Sequence, residues 1–183
     1  MNNSNNIEVE AKILNVSHKD IEEDILKLWW KKIFDWELDA VWMQDPDIEE
    51  RKVRVRKEWD KVMTEYKEKI DNEWWFKESI EIWYSPDHHD NQIKVFEKLW
   101  LEQANRSIKN RVSYLLENDK ELWTVQFDFD KYSDLDWMEI PELMEIEASS
   151  WDIIIKVAKV LWFKEEDLKN WNARELAEYY KNI

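Results

Sequence analysis

The chain has 183 residues, with 27 Lys and Arg against 42 Asp and Glu, a formal charge of −15. The length suits one domain with a sizeable core, and the acidity excludes non-specific docking on nucleic acid or an anionic membrane, which needs a basic footprint. Cysteine is absent, which excludes disulfides and thiolate zinc sites. With no long apolar run and no basic-then-apolar leader, a cytoplasmic address is expected.

Residues 1–6 read as a polar tail. Ile7-Glu-Val-Glu-Ala-Lys-Ile-Leu14 alternates apolar and charged residues, the pattern of a half-buried strand. Ser17 then caps a helix, with Asp20 three residues on and Ile21, Ile25 and Leu28 along one face. Strands are expected over 31–43, 51–58 and 61–69, the last two joined as a hairpin at Trp59-Asp60, with another over 74–83. Pro86 and Asp87 open a second helix whose apolar stripe is Ile93, Phe96 and Leu99. Residues 102–116 and 122–130 read as a hairpin turning near Asn118-Asp119, and 139–148 as the last strand. Ser149 or Ser150 caps a helix carrying Ile154, Val157, Ala158 and Leu161, and short helices follow near 164–169 and 172–181. The fold class is therefore α+β, about eight mostly antiparallel strands in a single domain over 1–183.

One pair of counts is abnormal. Average usage of about 7% predicts on the order of 13 glycines; there are none, while tryptophan appears 14 times. Trp29, Trp100 and Trp162 each follow a helix-like segment at the position that recruits glycine, and Trp59 stands in a hairpin turn. Trp29-Trp30 and Trp74-Trp75 resemble paired breakers beside strands. Most of these tryptophans are thus expected to be UGA codons read as glycine in the source organism, an assignment some bacterial lineages use. Trp42, inside a strand-like run, is the best candidate for a genuine tryptophan.

The alternation also segregates charge. Glu8, Glu10 and Lys12 oppose Ile7, Val9 and Ala11; Arg54 and Arg56 oppose Val53 and Val55. Asp128 and Asp130 oppose Phe127 and Phe129, Glu145 and Glu147 oppose Met144, Ile146 and Ala148, and Lys109 and Arg111 share a face. On 61–69 the alternation does not sort cleanly. An ordinary solvated sheet face would mix signs within a strand, since like charges side by side repel. Paired carboxylates suit Mg²⁺ or Mn²⁺, and clustered guanidinium and ammonium groups suit phosphate oxygens. Together they describe a metal–polyphosphate site, and strands closed around a polar interior would enclose it. His18, His88 and His89, including the Pro86-Asp-His-His-Asp90 cluster, read as helix starts and solvated turns.

These residues resemble the CYTH superfamily, the triphosphate tunnel metalloenzymes that include class IV adenylate cyclases and thiamine triphosphatases. The likeness rests on Glu8-Val-Glu10-Ala-Lys12, on Arg54-Val-Arg56 with Lys67 in the following strand, and on Lys109-Asn-Arg111-Val-Ser-Tyr114. Asp130 and Ile140-Pro-Glu-Leu-Met-Glu145-Ile-Glu147 complete it, so the match runs in order over roughly 7–163. Lys77-Glu78-Ser79-Ile80-Glu81 departs from the family's Arg-Glu-Glu-x-Glu by one carboxylate. The resemblance implies an eight-stranded antiparallel β-barrel, a triphosphate tunnel with flanking helices. It implies Mg²⁺ or Mn²⁺ on Glu8, Glu10, Asp130, Glu145 and Glu147, with Glu81 beside them. Lys12, Arg54, Arg56, Lys67, Lys109 and Arg111 would bind substrate, and Glu8, Glu10 and Lys12 would be catalytic. The implied activity is hydrolysis of a triphosphate: tripolyphosphate, thiamine triphosphate or ATP. A class IV-like adenylate cyclase and a non-catalytic polyphosphate- or nucleotide-binding protein are the alternatives. A homodimer is the implied assembly, without nucleic acid or membrane.

Overall fold

A computed structural model describes residues 6–27, 30–48, 52–69, 77–119, 123–135 and 138–183. The strands are β1 (Asn6–Ile13), β2 (Lys31–Gln44), β3 (Lys52–Glu58), β4 (Lys61–Lys69), β5 (Lys77–Tyr84), β6 (Glu102–Asp119), β7 (Trp123–Leu135) and β8 (Leu143–Ala148). The helices are α1 (His18–Lys27), α2 (His89–Lys98), α3 (Trp151–Val160) and α4 (Ala173–Lys181), with a 3-10 turn at Glu165–Asp167. All strand pairs are antiparallel, and the α+β class expected from the sequence is what forms. The order is β1-β5-β4-β3-β2-β6-β7-β8; β1 pairs with β5 on one side and β8 on the other, so the sheet returns to its start.

The main apolar face points outward, under α1, α2 and α3. Val9, Ala11, Ile13, Val112, Phe127, Phe129, Met144 and Ile146 form the main core with Ile25 of α1 and Ile153, Ile154, Val157 and Ala158 of α3. Ile93 and Phe96 of α2 pack against a smaller cluster of Val41, Met43, Val55 and Val62. A third cluster seats Leu176 and Ala177 of α4 on Tyr132, Leu135, Ile140 and Leu143. The C-terminal segment is pinned to the barrel by two backbone hydrogen bonds between Lys12 and Lys169 (2.7 and 2.8 Å). No helix among the described residues is long and apolar enough to cross a membrane.

Several expectations need correction. β1 already begins at Asn6, inside the expected tail, α2 starts at His89 after the N-cap His88 rather than at Pro86-Asp87, and Asn118-Asp119 belong to β6 rather than to its turn. The last strand begins at Leu143, not 139, because Pro141 has no N–H to give a ladder. Leu99 is exposed; it is the C-cap of α2, and Leu101, just beyond, packs instead. Strand β7 runs on to Leu135 rather than stopping at 130. Leu28 of the expected α1 stripe lies outside the described residues.

Trp59, Trp100 and Trp162 have φ of 52°, 69° and 68°; among the described residues only Asn15 (58°) joins them at positive φ. Trp100 and Trp162 each follow a helix C-cap in the same hydrogen-bond pattern. Leu101 N–H donates to Phe96 C=O and Trp100 N–H to Glu97 C=O; Phe163 donates to Ala158 and Trp162 to Lys159. This is the Schellman arrangement, whose left-handed residue is ordinarily glycine. Trp59 is the first central residue of the two-residue β3–β4 hairpin, where favoured turns require positive φ. Packing does not hold the helix-end pair in place, since Trp100 is 85% and Trp162 86% exposed. By contrast, Trp30 is buried and stacks on Phe127 at 3.9 Å. Trp29, Trp74 and Trp75 lie outside the described residues.

A left-handed residue with a Cβ costs on the order of 1 kcal/mol. Trp100→Gly and Trp162→Gly should each raise the unfolding free energy by about that much, read as a higher urea midpoint at unchanged m-value, whereas Trp100→Ala, which keeps a Cβ, should gain little. Equal midpoints for the Gly and Ala variants would remove strain as the explanation.

Candidate functional site: a charged barrel interior

Residues directly opposite in an antiparallel ladder share a face, so the register can be followed around the ring. Glu10 faces Glu147 and Lys12 faces Glu145 across β1–β8; Glu145 faces Asp128 across β7–β8. Arg111 faces Asp130 and Lys109 faces Tyr132 across β6–β7. Arg54 faces Glu65 and Arg56 faces Met63 across β3–β4. Glu8 stands opposite Ser79, and Lys67 opposite Glu81, on the same face by register; the side chains of Glu8, Lys67 and Glu81 lie outside the described residues. All the sequence-predicted positions therefore share one face, the one opposite the cores under α1, α2 and α3. Asp128 and Asp130 are fully buried there, and Glu10, Lys12, Glu65, Lys109, Arg111 and Glu145 are buried too.

Buried charges must be paired, and here they are paired with one another. Arg111 is the hub. Its Nε donates to Asp130 Oδ1 at 2.7 Å, its Nη2 to Asp130 Oδ2 and Glu145 Oε2 at 2.6 Å each, and its Nη1 to Asp128 Oδ2. Lys109 pairs with Asp130 and lies over the Tyr132 ring at 5.0 Å. Lys12 Nζ is 2.8 Å from Glu145 and 3.3 Å from Glu10. Across the barrel, Arg54 Nε donates to Glu65 Oε2 at 2.7 Å and Arg56 Nη2 lies 2.9 Å from Glu65 Oε1. Arg54 also sits over the Trp42 ring at 5.4 Å.

The titration directions follow from this wiring. Burial raises Glu145, but Lys12, Lys109 and Arg111 outweigh it and hold the carboxyl well below the usual range. Burial likewise works against charge on Lys12, yet Glu145 carries its pKa above the ordinary value. For Asp128 burial prevails over Arg111, and its pKa is raised. Burial and neighbouring Arg54 lower Arg56.

Among the described residues, Asp128, Glu145 and Glu147 each bring a carboxylate oxygen within 4.8 Å of the others. Three hard oxygen donors at this spacing suit Mg²⁺ or Mn²⁺. Asp130, favoured by the sequence reading over Asp128, is instead engaged by Lys109 and Arg111. Two residues had no role in that reading. Asp128 was visible as a member of the alternating pair Asp128/Asp130. Glu65 carried no signal, because the 61–69 strand lacks clean alternation. The His88-His89-Asp90 cluster lies away from this interior, beside an external cleft lined by Asp39, Lys57 and Arg106.

No protein-family model and no curated protein matches the chain. Solved structures do. The PH1012 protein of Pyrococcus horikoshii is 26% identical, covering 92% of this chain and 98% of its own, with a TM-score of 0.74. A Vibrio parahaemolyticus protein provisionally named an adenylate cyclase is 11% identical over 96% and 99%, TM-score 0.70. A Hippeastrum protein with a dominant triphosphatase activity is 10% identical over 96% and 95%, TM-score 0.63. The chain shares their fold.

The wiring predicts opposite responses at two acids. Removing one partner of a buried pair costs roughly 3–5 kcal/mol, so Glu145→Gln should destabilise strongly at pH 7. Because the folded pKa of Glu145 is depressed, its contribution is present above the unfolded value and lost as pH falls through the folded one; the penalty of Glu145→Gln should shrink in acid. Asp128, with its raised pKa, has the opposite sign, so Asp128→Asn should cost less at pH 7 than it does in acid. Urea melts of both variants at pH 7 and in acid check this ordering.

Proposed function

We propose that the protein is a metal-dependent phosphohydrolase of the CYTH type, acting on a triphosphate bound inside the barrel. The observation that carries this reading is the juxtaposition, on one enclosed face, of the Asp128/Glu145/Glu147 oxygen set with Lys12, Lys109, Arg111, Arg54 and Arg56. A face of carboxylates alone would suit only cations, and a basic face only anions. This one suits a polyphosphate together with its divalent cation, and the shared fold with a protein of triphosphatase activity supports the same reading.

Asp128, Glu145 and Glu147 would hold the cation, with Glu10 beside them on the ladder. Bound Mg²⁺ or Mn²⁺ would supply Lewis-acid polarisation of a phosphoryl oxygen. Arg111 and Lys109 present donors next to that set and would orient phosphate oxygens. Arg54 and Arg56 on the facing wall would hold the remainder of the chain, with Lys67 following them in register. In hydrolysis a water oxygen bonds to the terminal phosphorus, the bond to the bridging oxygen breaks, and the charge left on the diphosphate falls against these guanidinium groups. Glu8 and Lys12, on the same ladder as Glu10, complete the proposed catalytic end.

The same electrostatics would serve attack of a ribose 3′-hydroxyl on an α-phosphorus, as in class IV adenylate cyclases; the Vibrio neighbour gives that second reading its support. Product analysis with ATP or tripolyphosphate and Mg²⁺ or Mn²⁺ separates the two. Orthophosphate is expected; cyclic AMP with pyrophosphate would establish the cyclase instead. Glu147→Gln should lower turnover at least 100-fold, in the range for lost transition-state electrostatics, while still binding tripolyphosphate. Binding without turnover in the unmodified protein under all these conditions would leave a polyphosphate-binding protein and end the enzyme reading.

A further inference from the structure

Glu65 is on β4, on the wall away from the Asp128/Glu145/Glu147 set, and it is 3% exposed. Its two oxygens are divided between two guanidinium groups, Oε2 toward Arg54 and Oε1 toward Arg56. The register that makes Arg54 its direct cross-strand partner also places Arg56 one pleat along, so one carboxylate spans both cations. A carboxylate is the nearest protein analogue of a phosphate edge, with two oxygens and negative charge, and it recruits the same arginine forks.

Taking the triphosphate reading as its basis, we propose that Glu65 is an internal competitor for the anion site, a clasp that an incoming polyphosphate must displace. Displacement requires a ligand that satisfies both guanidinium groups at once, because a partner for only one leaves Glu65 held by the other. A chain polyphosphate offers oxygens at several phosphorus centres and meets that demand. Orthophosphate can span both through one edge, as the carboxylate does, but has no further phosphorus centres to offset the displacement at the other cations of the face. Glu65 thus sets a threshold that a single phosphate barely clears and an extended polyphosphate exceeds, acting through Arg54 and Arg56.

Calorimetry with tripolyphosphate and with orthophosphate, each with and without Mg²⁺, tests this on the full chain. Glu65→Gln keeps the shape and removes the charge. It should tighten orthophosphate binding by about tenfold or more, a difference of about 1.4 kcal/mol, and tripolyphosphate binding by a comparable factor, since both anions displace the same carboxylate. Glu65→Asp, too short to span both arginines, should move in the same direction by less, and carries the test if the Gln variant does not fold. Unchanged or weaker orthophosphate binding in the folded variants overturns the clasp while leaving the triphosphate reading standing. Silence toward tripolyphosphate in the wild type and both variants overturns that reading, and the clasp with it.

A different observation carries a second inference independently. Three tryptophans hold the left-handed backbone positions at two Schellman helix ends and one hairpin, in a chain with no glycine at all. Tryptophan has no physical preference for that region, and glycine does. We infer that Trp59, Trp100 and Trp162 are glycine in the protein made by its own cell, from UGA codons read there as glycine. Tandem mass spectrometry of the natively expressed protein, over the peptide Leu99–Arg106 and those spanning 59 and 162, reads this directly. Glycine at the three positions is expected; tryptophan at any of them, or a UGG codon there, overturns the assignment for that position.

Discussion

The constraint on which the rest of the structure depends is that an ionised group taken out of water must find a partner of opposite sign. Most sheets satisfy it by leaving charges on a wet face. Here the ring of strands encloses the charged face, α1, α2 and α3 cover the apolar outer one, and α4 packs on Tyr132 and Leu143 of the inner face. Acids and bases must therefore compensate one another inside the ring. Arg111 does this for three carboxylates, Glu65 for two arginines, and Lys12 joins β1 to β8 through Glu145. The ion pairs follow the ladder, so strand register and charge balance are one requirement. A slip of one residue would carry every charge to the helix-covered side.

That coupling explains what could be read before the fold was known. Period-two alternation on β1, β3, β7 and β8 marks Glu10, Lys12, Arg54, Arg56, Glu145 and Glu147 as sharing the face opposite the apolar residues, and the register bears this out. Alternation says which face a residue takes but not which neighbour it meets. Asp128 and Asp130 are equivalent in the sequence. They differ because Asp128 stands opposite Glu145, whereas Asp130 stands opposite Arg111. Glu65 was illegible for another reason. Strand β4 puts Met63 among the charges of the inner face and Thr64 among the apolar residues of the outer one, so alternation does not mark Glu65, and only pairing with Arg54 does so. Where a strand starts was equally hidden: the last strand's apparent extension through 139–142 failed on one missing N–H at Pro141.

The turns tell a complementary story. Two helix ends and one hairpin form with the hydrogen bonds expected of glycine-terminated elements although no glycine is present. The surrounding sequence specifies them well enough to impose a left-handed backbone on a bulky residue. Leu101 and Phe163, the residues following Trp100 and Trp162, pack against their respective cores and hold the chain reversal in place. Local and tertiary signals agree everywhere except at the side chain itself. Such a lone conflict at chemically equivalent places is unusual in a sequence that otherwise agrees with its fold.

Inside the barrel the described carboxylates, Glu10, Glu58, Glu65, Asp128, Asp130, Glu145 and Glu147, outnumber the cations Lys12, Arg54, Arg56, Lys109 and Arg111. An enclosed face of that balance has little spare positive charge for a polyanion. Arg111 can turn its donors to a phosphate only when Asp128, Asp130 and Glu145 are satisfied by another positive partner, and Arg54 and Arg56 only when Glu65 gives way, Arg56 keeping Glu58 at its Nε. Under the proposed function, cation and polyphosphate are then not independent ligands. Each relieves the repulsion that opposes the other, and by linkage the gain is equal in both directions. The raised pKa of Asp128 belongs to the same account, since burial there outweighs the compensation that Arg111 gives its negative charge. That acid lies in the oxygen set best placed to receive a divalent cation.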